Sequence, residues 1–521
     1  MAKFITAKEA AGLIEDGMTL GVGGFGAYAA PDELLAALAS RYEEEGNPRG
    51  LTAVCGISPG SNHPDGRGLA RLKAPGLLDT VIAGHFANPP EIAELIGANQ
   101  IAAYALPLGV MLHLWRAIAG HKPALLTHVG LGTFADPRVE GCKANDKTRA
   151  QNRDIVEVVQ VSGKDCLAYK TFPTNACFIR ATWADEDGNL SMEDEGVGDY
   201  AFELASATHN SGGIVIAQVR GIVSRDFLPP KTVRIHHPMV DYVVVNTDPA
   251  LHMQSYAAQL RPELSGQLRC PTGSIPPMPL DNRKIIARRG AMELKPNCLI
   301  NLGIGIPSGV GEVANEEGIG GQVTLSLESG PQGGVPVSGD GFAAAVNPQA
   351  IYTVADMLEL YDGGVLDMTF LGAAEIDCHG NVNVSKFGTR CTGPGGFVNI
   401  SQNTRKVFFC GTFTAGGLKE EVRDGKLVIL QEGRNKKFRE SVQQITFSGN
   451  YAVESGQEVT FLTERAVLKL TPDGLMLTEI APGVDLEKDV LAQMEFKPLI
   501  SPNLKEMDSR IFREGKMGIT L

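Results

Sequence analysis

The sequence predicts an α/β protein of two similar domains, each with a mostly parallel sheet flanked by helices. Three observations support this fold class. The chain of 521 residues is too long for one ordinary domain. Short apolar runs typical of buried strands alternate with helical patterns. The same opening order of helix, strand, glycine-rich turn and helix occurs twice, once near the N-terminus and once after residue 282.

The first copy begins with a capped helix. Thr6 and Glu9 form a T-x-x-E capping box before an apolar face. MTLGVGGFG, residues 18–26, then reads as a short strand that leads into a glycine turn, and Pro31 begins the helix DELLAALA. Further strands are predicted at 51–55, 213–219, 241–246, 322–327 and 406–411.

The second copy is IIARRGAMELKPNCLINLGIGIPSGVGEVA, in which we align Gly21 with Gly303 and Gly23 with Gly305. A proline-rich stretch separates the two copies and cannot sustain a helix or a central strand. We therefore predict three parts of the chain, which are an N-terminal domain at 1–262, a linker at 263–281 and a C-terminal domain at 282–521.

Composition excludes several classes of protein. The formal net charge of -13 argues against a nucleic-acid partner, because a basic surface supplies most of that affinity. No run reaches the roughly 18 apolar residues of a membrane span. Nine scattered cysteines without a CxxC pair indicate reduced thiols and a cytoplasmic protein. No HExxH motif is present and His236-His237 is the one adjacent histidine pair, so no metal site is predicted.

Two segments match familiar functional motifs, but each lacks a residue that the motif's function requires. GVGGFG at 21–26 matches the dinucleotide fingerprint, but the next strand ends in Cys55-Gly56 without the acid that binds a ribose. GISPG at 56–60 matches a nucleophile elbow around Ser58. The next residue, Pro59, has no N–H to donate to an oxyanion, so a turn is the better interpretation.

The loop SLESGPQGGVPVSGDG, residues 326–341, is the strongest remaining candidate site. It places Glu328 directly after a predicted buried strand, where ligands bind in parallel α/β sheets. Its glycines allow a large ligand to approach the backbone. From the local sequence alone, an exposed turn glutamate remains the more common interpretation.

INLGIGIPSGV followed by SLESGPQGGVP resembles the second half of family I CoA transferases. The resemblance continues through DMTFLGAAEID, NVSKFG, GPGGFVNI and LTERAVLKL, and it includes GGFG and PLGVMLHLWRAIA in the first half. Because both halves are fused and the motif is ESG, the chain is most similar to the acetate/propionate CoA-transferase branch. The fused chain is also similar to succinyl-CoA:3-oxoacid CoA-transferase.

The resemblance implies that Glu328 is the nucleophile and that CoA is a substrate and covalent intermediate, with no permanently bound cofactor. Acyl-CoA and a free carboxylate are the implied partners, and a homodimer or homotetramer is the implied assembly. Some relatives place a glutamine where this chain has Leu108. Backbone amides of Ile304 and Gly396 are therefore the expected oxyanion donors. The expected CoA- and substrate-binding residues are Gly23, Gly24, Phe25, Gly303, Gly305, Lys386 and Gly395.

Two alternatives remain at this point. An acyl-CoA hydrolase would use the same glutamate with water as acceptor, and free CoA would then accumulate without a carboxylate. A non-catalytic ligand-binding relative would form no covalent adduct with acyl-CoA.

Overall fold

Strands and helices alternate along the chain as expected for an α/β protein. A computed structural model describes residues 1–61, 63–271, 277–337 and 339–521. The strands are β1 (Lys3–Phe4), β2 (Thr19–Val22), β3 (Leu51–Ile57), β4 (Leu78–His85), β5 (Ala102–Ala105), β6 (Ala124–Thr127), β7 (Val156–Val161), β8 (Lys164–Lys170), β9 (Ala176–Asp185), β10 (Leu190–Ser191), β11 (Ile214–Val223), β12 (Val233–Ile235), β13 (Tyr242–Val245), β14 (Leu299–Leu302), β15 (Thr324–Ser326), β16 (Pro331–Gln332), β17 (Val335–Pro336), β18 (Ala345–Val346), β19 (Ala350–Ile351), β20 (Met368–Gly372), β21 (Glu375–Ile376), β22 (Val382–Asn383), β23 (Lys386–Phe387), β24 (Arg390–Cys391), β25 (Lys406–Cys410), β26 (Thr414–Ala415), β27 (Lys419–Arg423), β28 (Lys426–Gln431), β29 (Asn435–Lys436), β30 (Glu458–Leu462), β31 (Ala466–Thr471), β32 (Gly474–Ile480) and β33 (Leu499–Glu506). The α-helices are α1 (Ala7–Gly12), α2 (Asp32–Glu45), α3 (Pro90–Gly97), α4 (Leu108–Ala119), α5 (Asp146–Ala150), α6 (Ala201–Asn210), α7 (Asn282–Ala291), α8 (Gly309–Glu317), α9 (Val354–Asp362), α10 (Phe397–Asn403) and α11 (Gly449–Ser455).

The chain forms two compact units that do not follow chain order throughout. The first unit contains Met1–Thr272, Leu327–Glu359 and Lys386–Gly396, and the second contains Gly273–Ser326, Leu360–Ser385 and Phe397–Leu521. Two segments of the predicted C-terminal domain thus pack with the first unit, and one of them carries Glu328. The predicted limits at 1–262 and 282–521 stay predictions, and residues 272–276 of the predicted linker lie outside the described residues.

The first unit is built on a parallel sheet. Its strands follow the order β1-β13-β11-β9-β2-β3-β4-β5, and each neighbouring pair is parallel. Strands β6, β8 and β7 form a separate antiparallel sheet. The carboxyl ends of β2, β3 and β4 lie at one edge, which is where parallel sheets of this kind bind ligands.

Local sequence signals explain how these elements begin. The Thr6 hydroxyl accepts a 3.2 Å hydrogen bond from the amide of Glu9, and the Glu9 carboxylate accepts one of 2.8 Å from the amide of Thr6. The predicted capping box is therefore confirmed. Pro31 is the N-cap residue of α2, and Asp32 and Glu33 occupy its first turn, where a negative charge complements the helix dipole.

The second unit also has a mostly parallel sheet. Strands β15, β14, β20, β25 and β30 are parallel in that order, and β31 and β32 continue it as antiparallel neighbours. Strand β33 then pairs parallel with β32. The rings of Phe370 on β20 and Phe408 on β25 stack with their centroids 4.8 Å apart. The predicted fold class, α/β with a mostly parallel sheet in each of two units, is confirmed.

The internal repeat is present, but the predicted residue alignment is wrong by two positions. The amide of Gly23 donates a 2.8 Å hydrogen bond to the carbonyl of Phe178, and the amide of Gly303 donates a 2.8 Å bond to that of Phe370. Gly23 is thus the equivalent of Gly303, whereas the sequence alignment pairs Gly21 with Gly303. A shift of two residues preserves the inward and outward alternation of a strand, so the apolar pattern cannot detect it.

Candidate active site

A buried tyrosine joins the carboxyl ends of two strands in the first unit. The Tyr200 hydroxyl donates a hydrogen bond to the carbonyl of Gly24 and accepts one of 3.3 Å from the amide of Gly56. Its ring stacks on Trp115 with the centroids 5.1 Å apart. Burial raises the pKa of Tyr200 well above its ordinary value, so the hydroxyl stays protonated and acts as a fixed donor.

The glycine turn after β2 is held by paired backbone hydrogen bonds. The amide of Phe25 donates to the carbonyl of Tyr28 at 2.8 Å, and the amide of Tyr28 donates to the carbonyl of Phe25 at 3.0 Å. Gly24 has a φ of 109°, which side chains rarely adopt. Gly23 is buried, Gly24 is partly buried, and Phe25 is buried. The three predicted binding residues therefore lie in a rigid turn at the edge of the sheet.

The segment GPGG, residues 393–396, contacts the C-terminal end of β4 and the first residue of α4 in the first unit. The amide of Gly395 donates a 2.8 Å hydrogen bond to the carbonyl of Gly84, and the carbonyl of Gly395 accepts a 3.0 Å bond from the amide of Leu108. The amides of Leu108 and Gly395 are both occupied. Among the described residues, the amide of Gly396 has no hydrogen-bond acceptor.

Lys386 lies ahead of GPGG and is largely buried. Its ammonium group is 3.8 Å from a carboxylate oxygen of Glu140, and 15% of its side chain is exposed. The charge is therefore partly compensated within the protein.

The Glu328 loop is closed by two backbone hydrogen bonds of its own, and a third connects it to the segment before α6. The amide of Leu327 donates to the carbonyl of Pro331 at 3.0 Å, and the amide of Gly330 donates to the carbonyl of Leu327 at 3.0 Å. The Ser329 carbonyl accepts a 2.6 Å hydrogen bond from the amide of Gly198. Glu328 itself is half-buried. A carboxylate in this position is held in place by its neighbours rather than carried on a mobile tip.

A second buried tyrosine connects the glycine turn to the Glu328 loop. The Tyr28 hydroxyl donates a 2.7 Å hydrogen bond to the carbonyl of Gly341. The Tyr28 side chain is fully buried, and burial raises its pKa to about 12. The first unit therefore contains Glu328, the glycine turn and GPGG, and the Tyr28 hydrogen bond connects the first two.

The second unit holds the other glycine turn. The amide of Gly303 donates its hydrogen bond to the carbonyl of Phe370. The carbonyl of Gly305 accepts a 3.4 Å hydrogen bond from the Arg283 guanidinium. The Ile304 side chain is 67% exposed, which is unusual for isoleucine. Within the described residues, the Ile304 amide donates no hydrogen bond.

Three functional candidates were missed from the sequence, namely Tyr28, Gly198 and His85. Tyr28 lies two residues after GGFG, which is a usable signal, whereas Gly198 acts through its backbone and has none. His85 ends β4 beside GPGG. Burial, together with the charge of Arg390, lowers the pKa of His85 to about 4, so its imidazole is neutral near pH 7.

The rejected motifs show no chemistry of their own. The Ser58 hydroxyl lies 3.5 Å from the Cys55 sulfur and is buried. Throughout the described ranges, no group of three or more His, Cys, Asp or Glu side chains could hold a metal ion.

Within the same part of the chain, no helix has the length and apolar character that crossing a membrane requires.

Comparison with known proteins gives consistent results. Residues 4–246 match the family model described as Coenzyme A transferase. The chain is 46% identical to caffeate CoA-transferase of Acetobacterium woodii, covering 100% of this chain and 99% of that protein. It is 43% identical to acetate CoA-transferase YdiF of Escherichia coli K12, covering 99% and 96% of the two chains.

Solved structures agree with the sequence comparisons. The apoenzyme of the acyl-CoA transferase YdiF from E. coli O157:H7 matches with a TM-score of 0.94 and 42% identity, over 100% of this chain and 98% of that one. The structure of the same enzyme described as a thioester complex with CoA matches with a TM-score of 0.93 and 41% identity, over 100% and 98% of the two chains. With nearly full coverage on both sides and this level of identity, the chain belongs to the coenzyme A transferase family and is a CoA-transferase.

Proposed function

We propose that this CoA-transferase moves CoA between a short-chain acyl-CoA and a free carboxylate, of the acetate, propionate or acetoacetate type, through a thioester formed on Glu328. The observation that carries the proposal is the placement of Glu328 in a firmly bonded loop directly after a parallel strand. The E. coli relative described as a thioester complex with CoA supports a covalent intermediate of this kind.

The reaction begins with attack of a Glu328 carboxylate oxygen on the thioester carbonyl carbon. The C–S bond breaks, CoA leaves as a thiolate, and a mixed acyl-glutamyl anhydride remains. The thiolate then attacks the glutamyl carbonyl carbon. The anhydride C–O bond breaks, the first carboxylate departs, and Glu328 carries CoA as a thioester. An acceptor carboxylate reverses these steps in a ping-pong sequence, with no net proton uptake.

Each addition produces a tetrahedral oxyanion, which needs hydrogen-bond donors. We assign this role to the backbone amides of Gly396 and Ile304, because neither is occupied within the described residues. Leu108 cannot contribute its amide, which is already donated to Gly395. Loss of one oxyanion donor typically costs about 10²–10³ in rate.

Binding of CoA would rely on close backbone approach at the two glycine turns and at GPGG. Gly23, Gly24 and Phe25 supply one turn, and Gly303 and Gly305 supply the other. Gly395 has a φ of 55°, which residues with a side chain rarely adopt, and a Cβ atom added there would be in ordinary contact with Ile57 at 3.9 Å. Lys386 would contribute a positive charge for CoA phosphates, beside its partner Glu140.

A cytoplasmic location, assembly into a homodimer or homotetramer, and the lack of a permanent cofactor remain predictions from the sequence. The two relatives are named for different acids, caffeate in one case and acetate in the other. A competition assay with acetate, propionate, acetoacetate and caffeate as acceptors would identify the preferred class of carboxylate.

The central test is intact-mass analysis after incubation with acyl-CoA and no acceptor. The wild-type protein should gain covalent CoA, and Glu328→Gln should not. Glu359→Gln, which changes an exposed glutamate of the same unit, is the matched control and should behave as wild type. Undiminished transfer by Glu328→Ala would refute the proposal. Steady release of free CoA without an acceptor would indicate hydrolysis instead.

A further inference from the structure

The Tyr28 side chain connects two parts of the first unit that the proposed mechanism uses separately. Its backbone pairs reciprocally with Phe25 in the glycine turn, at 2.8 and 3.0 Å. Its hydroxyl is fully buried and donates a 2.7 Å hydrogen bond to the carbonyl of Gly341. A buried hydroxyl needs a partner, and the Tyr28 hydroxyl finds one in the carbonyl of Gly341, which belongs to the Glu328 loop.

Gly341 belongs to the same loop as Glu328. It lies two residues before Ala343, whose carbonyl takes part in a second hydrogen bond of this loop. Strands β17 and β18 form an antiparallel ribbon in this loop, and the amide of Val337 donates to the carbonyl of Ala344 at 2.9 Å. The carbonyl of Ala343 accepts a hydrogen bond from the Ser329 hydroxyl. Ser329 is 1% exposed and directly follows Glu328.

The backbone at Ala343 is held in an unfavourable conformation. Its φ is 91°, in a region that residues with a Cβ rarely adopt. Such a residue persists only where its surroundings fix it, and here the Ala343 carbonyl is fixed toward Ser329. Strain of this kind is consistent with a carbonyl whose position matters for the neighbouring site.

We propose that Tyr28, Gly341, Ala343 and Ser329 form a relay that transmits the position of the glycine turn to Glu328, with Tyr28 as its positioning residue. The inference rests on the proposed role of Glu328. In this proposal Tyr28 acts on the carboxylate through the loop and not through contact with the reacting atoms. It positions the Glu328 carboxylate once the glycine turn that contains Phe25 has bound substrate.

The first test is Tyr28→Phe, which removes one oxygen atom and keeps the ring. We expect kcat to fall by roughly 3- to 10-fold, the loss that follows from one hydrogen bond. KM for acyl-CoA should stay within about twofold, since the relay does not contact CoA. The rate of covalent CoA attachment without acceptor should fall by the same factor as kcat.

The matched control is Tyr169→Phe in the same unit. The Tyr169 hydroxyl is also buried and donates a 3.0 Å bond to the carbonyl of Val129. Its loss should lower the melting temperature about as much as Tyr28→Phe does and leave kcat unchanged. Equal kcat values for Tyr28→Phe and wild type, or an equal loss in the Tyr169→Phe control, would overturn the relay.

A double-mutant cycle with Ser329→Ala tests the connection itself. If the two hydroxyls act along one path, the double variant should lose less than the product of the two single losses in kcat. Fully multiplicative losses would refute a shared path. Glu328→Gln measured in parallel separates the two hypotheses. Covalent attachment of CoA to that variant would refute the role of Glu328 as nucleophile. An inactive Glu328→Gln together with a Tyr28→Phe variant of wild-type activity would refute only the relay.

Discussion

The amide of Gly198 donates a 2.6 Å hydrogen bond to the carbonyl of Ser329, the residue that follows the proposed nucleophile. Gly198 precedes α6 in the first half of the chain, and Ser329 lies in the second half. The bond is short, and no side chain takes part in it. The backbone beside Glu328 is thus held in part by a backbone group that is distant in sequence.

Replacement of Gly198 by alanine should displace the Glu328 loop. A Cβ atom at this position would lie 2.0 Å from the carbonyl oxygen of Tyr352 and 3.0 Å from that of Ser329. Because both are backbone atoms, the loop itself must move. We expect kcat to fall at least 100-fold, which a misplacement of about 1 Å can cause, as measured by steady-state transfer. Gly12→Ala, with open space around its Cβ, should keep wild-type activity.

Loss of Arg180 should destabilise the first unit in a pH-dependent manner. Arg180 and Glu195 form a 2.7 Å ion pair, and both side chains are almost fully buried. Burial already raises the pKa of Glu195, against the opposing charge of Arg180. Arg180→Met should remove about 3–5 kcal/mol of unfolding free energy at pH 8, because it leaves a buried carboxylate without a partner.

The sign of this effect follows from the protonation of Glu195. Without Arg180 its folded pKa rises further above its unfolded value, so the folded state retains a proton that the unfolded state loses. The destabilisation should therefore shrink as the pH falls toward 5, where the carboxyl group can be neutral. Denaturant unfolding at pH 5 and pH 8 checks this, and equal losses at both would contradict it. The double variant Arg180→Met/Glu195→Gln should recover part of the stability at pH 8.

Glu420 in the second unit should make the protein less stable as the solution becomes alkaline. Burial, and then the charge of Glu464, raise the pKa of Glu420 to about 8 from an ordinary value of 4.5. Since the folded state holds the proton more tightly, its stabilising contribution is complete below pH 4.5 and is lost as the pH rises to about 8. Glu420→Gln should raise the melting temperature at pH 9 and have little effect at pH 5. Glu421→Gln, whose carboxylate pairs with Arg423, is the control and should not show this pattern.

Lys386→Met should weaken the binding of acyl-CoA without changing chemistry. A partly buried charge facing a phosphate is worth about 1 kcal/mol, so KM should rise roughly fivefold while kcat stays constant. The effect should disappear with acyl-pantetheine, which lacks the nucleotide phosphates. Lys170→Met, which breaks an ion pair with Glu157 elsewhere in the unit, should leave both parameters unchanged. An equal KM increase with acyl-pantetheine would show that Lys386 does not act on phosphate.

The fold was predictable because its signals lie in side chains. Apolar runs such as 51–55 and 406–411 became buried central strands, and the capping box at Thr6 marked the start of α1. Glu328 was predictable as a candidate because a glycine-rich loop follows a strand at that point. The alignment of the two copies failed because a shift of two residues leaves the strand pattern unchanged.

The division into two units was not predictable for a different reason. Leu327–Glu359 contacts the rest of the first unit partly through side chains, as in the ion pair of Arg116 with Asp356, and partly through backbone groups, as in the bond from Gly198 to Ser329. Every residue type except proline offers both backbone groups, so contacts of the second kind leave no trace in composition or periodicity. Tyr28 did leave a trace, as a large polar aromatic beside the glycine turn, but its partner Gly341 did not.

The chain path through the first unit limits how the gene could be divided. A cut in the predicted linker at 263–281 would give two polypeptides, and the second would contain Glu328. That polypeptide alone would lack Gly198, Tyr28 and the rest of the surface that holds Leu327–Glu359. We expect the isolated C-terminal polypeptide to form no CoA adduct and the co-expressed pair to form it, so the two halves can be separate genes but cannot be separate enzymes.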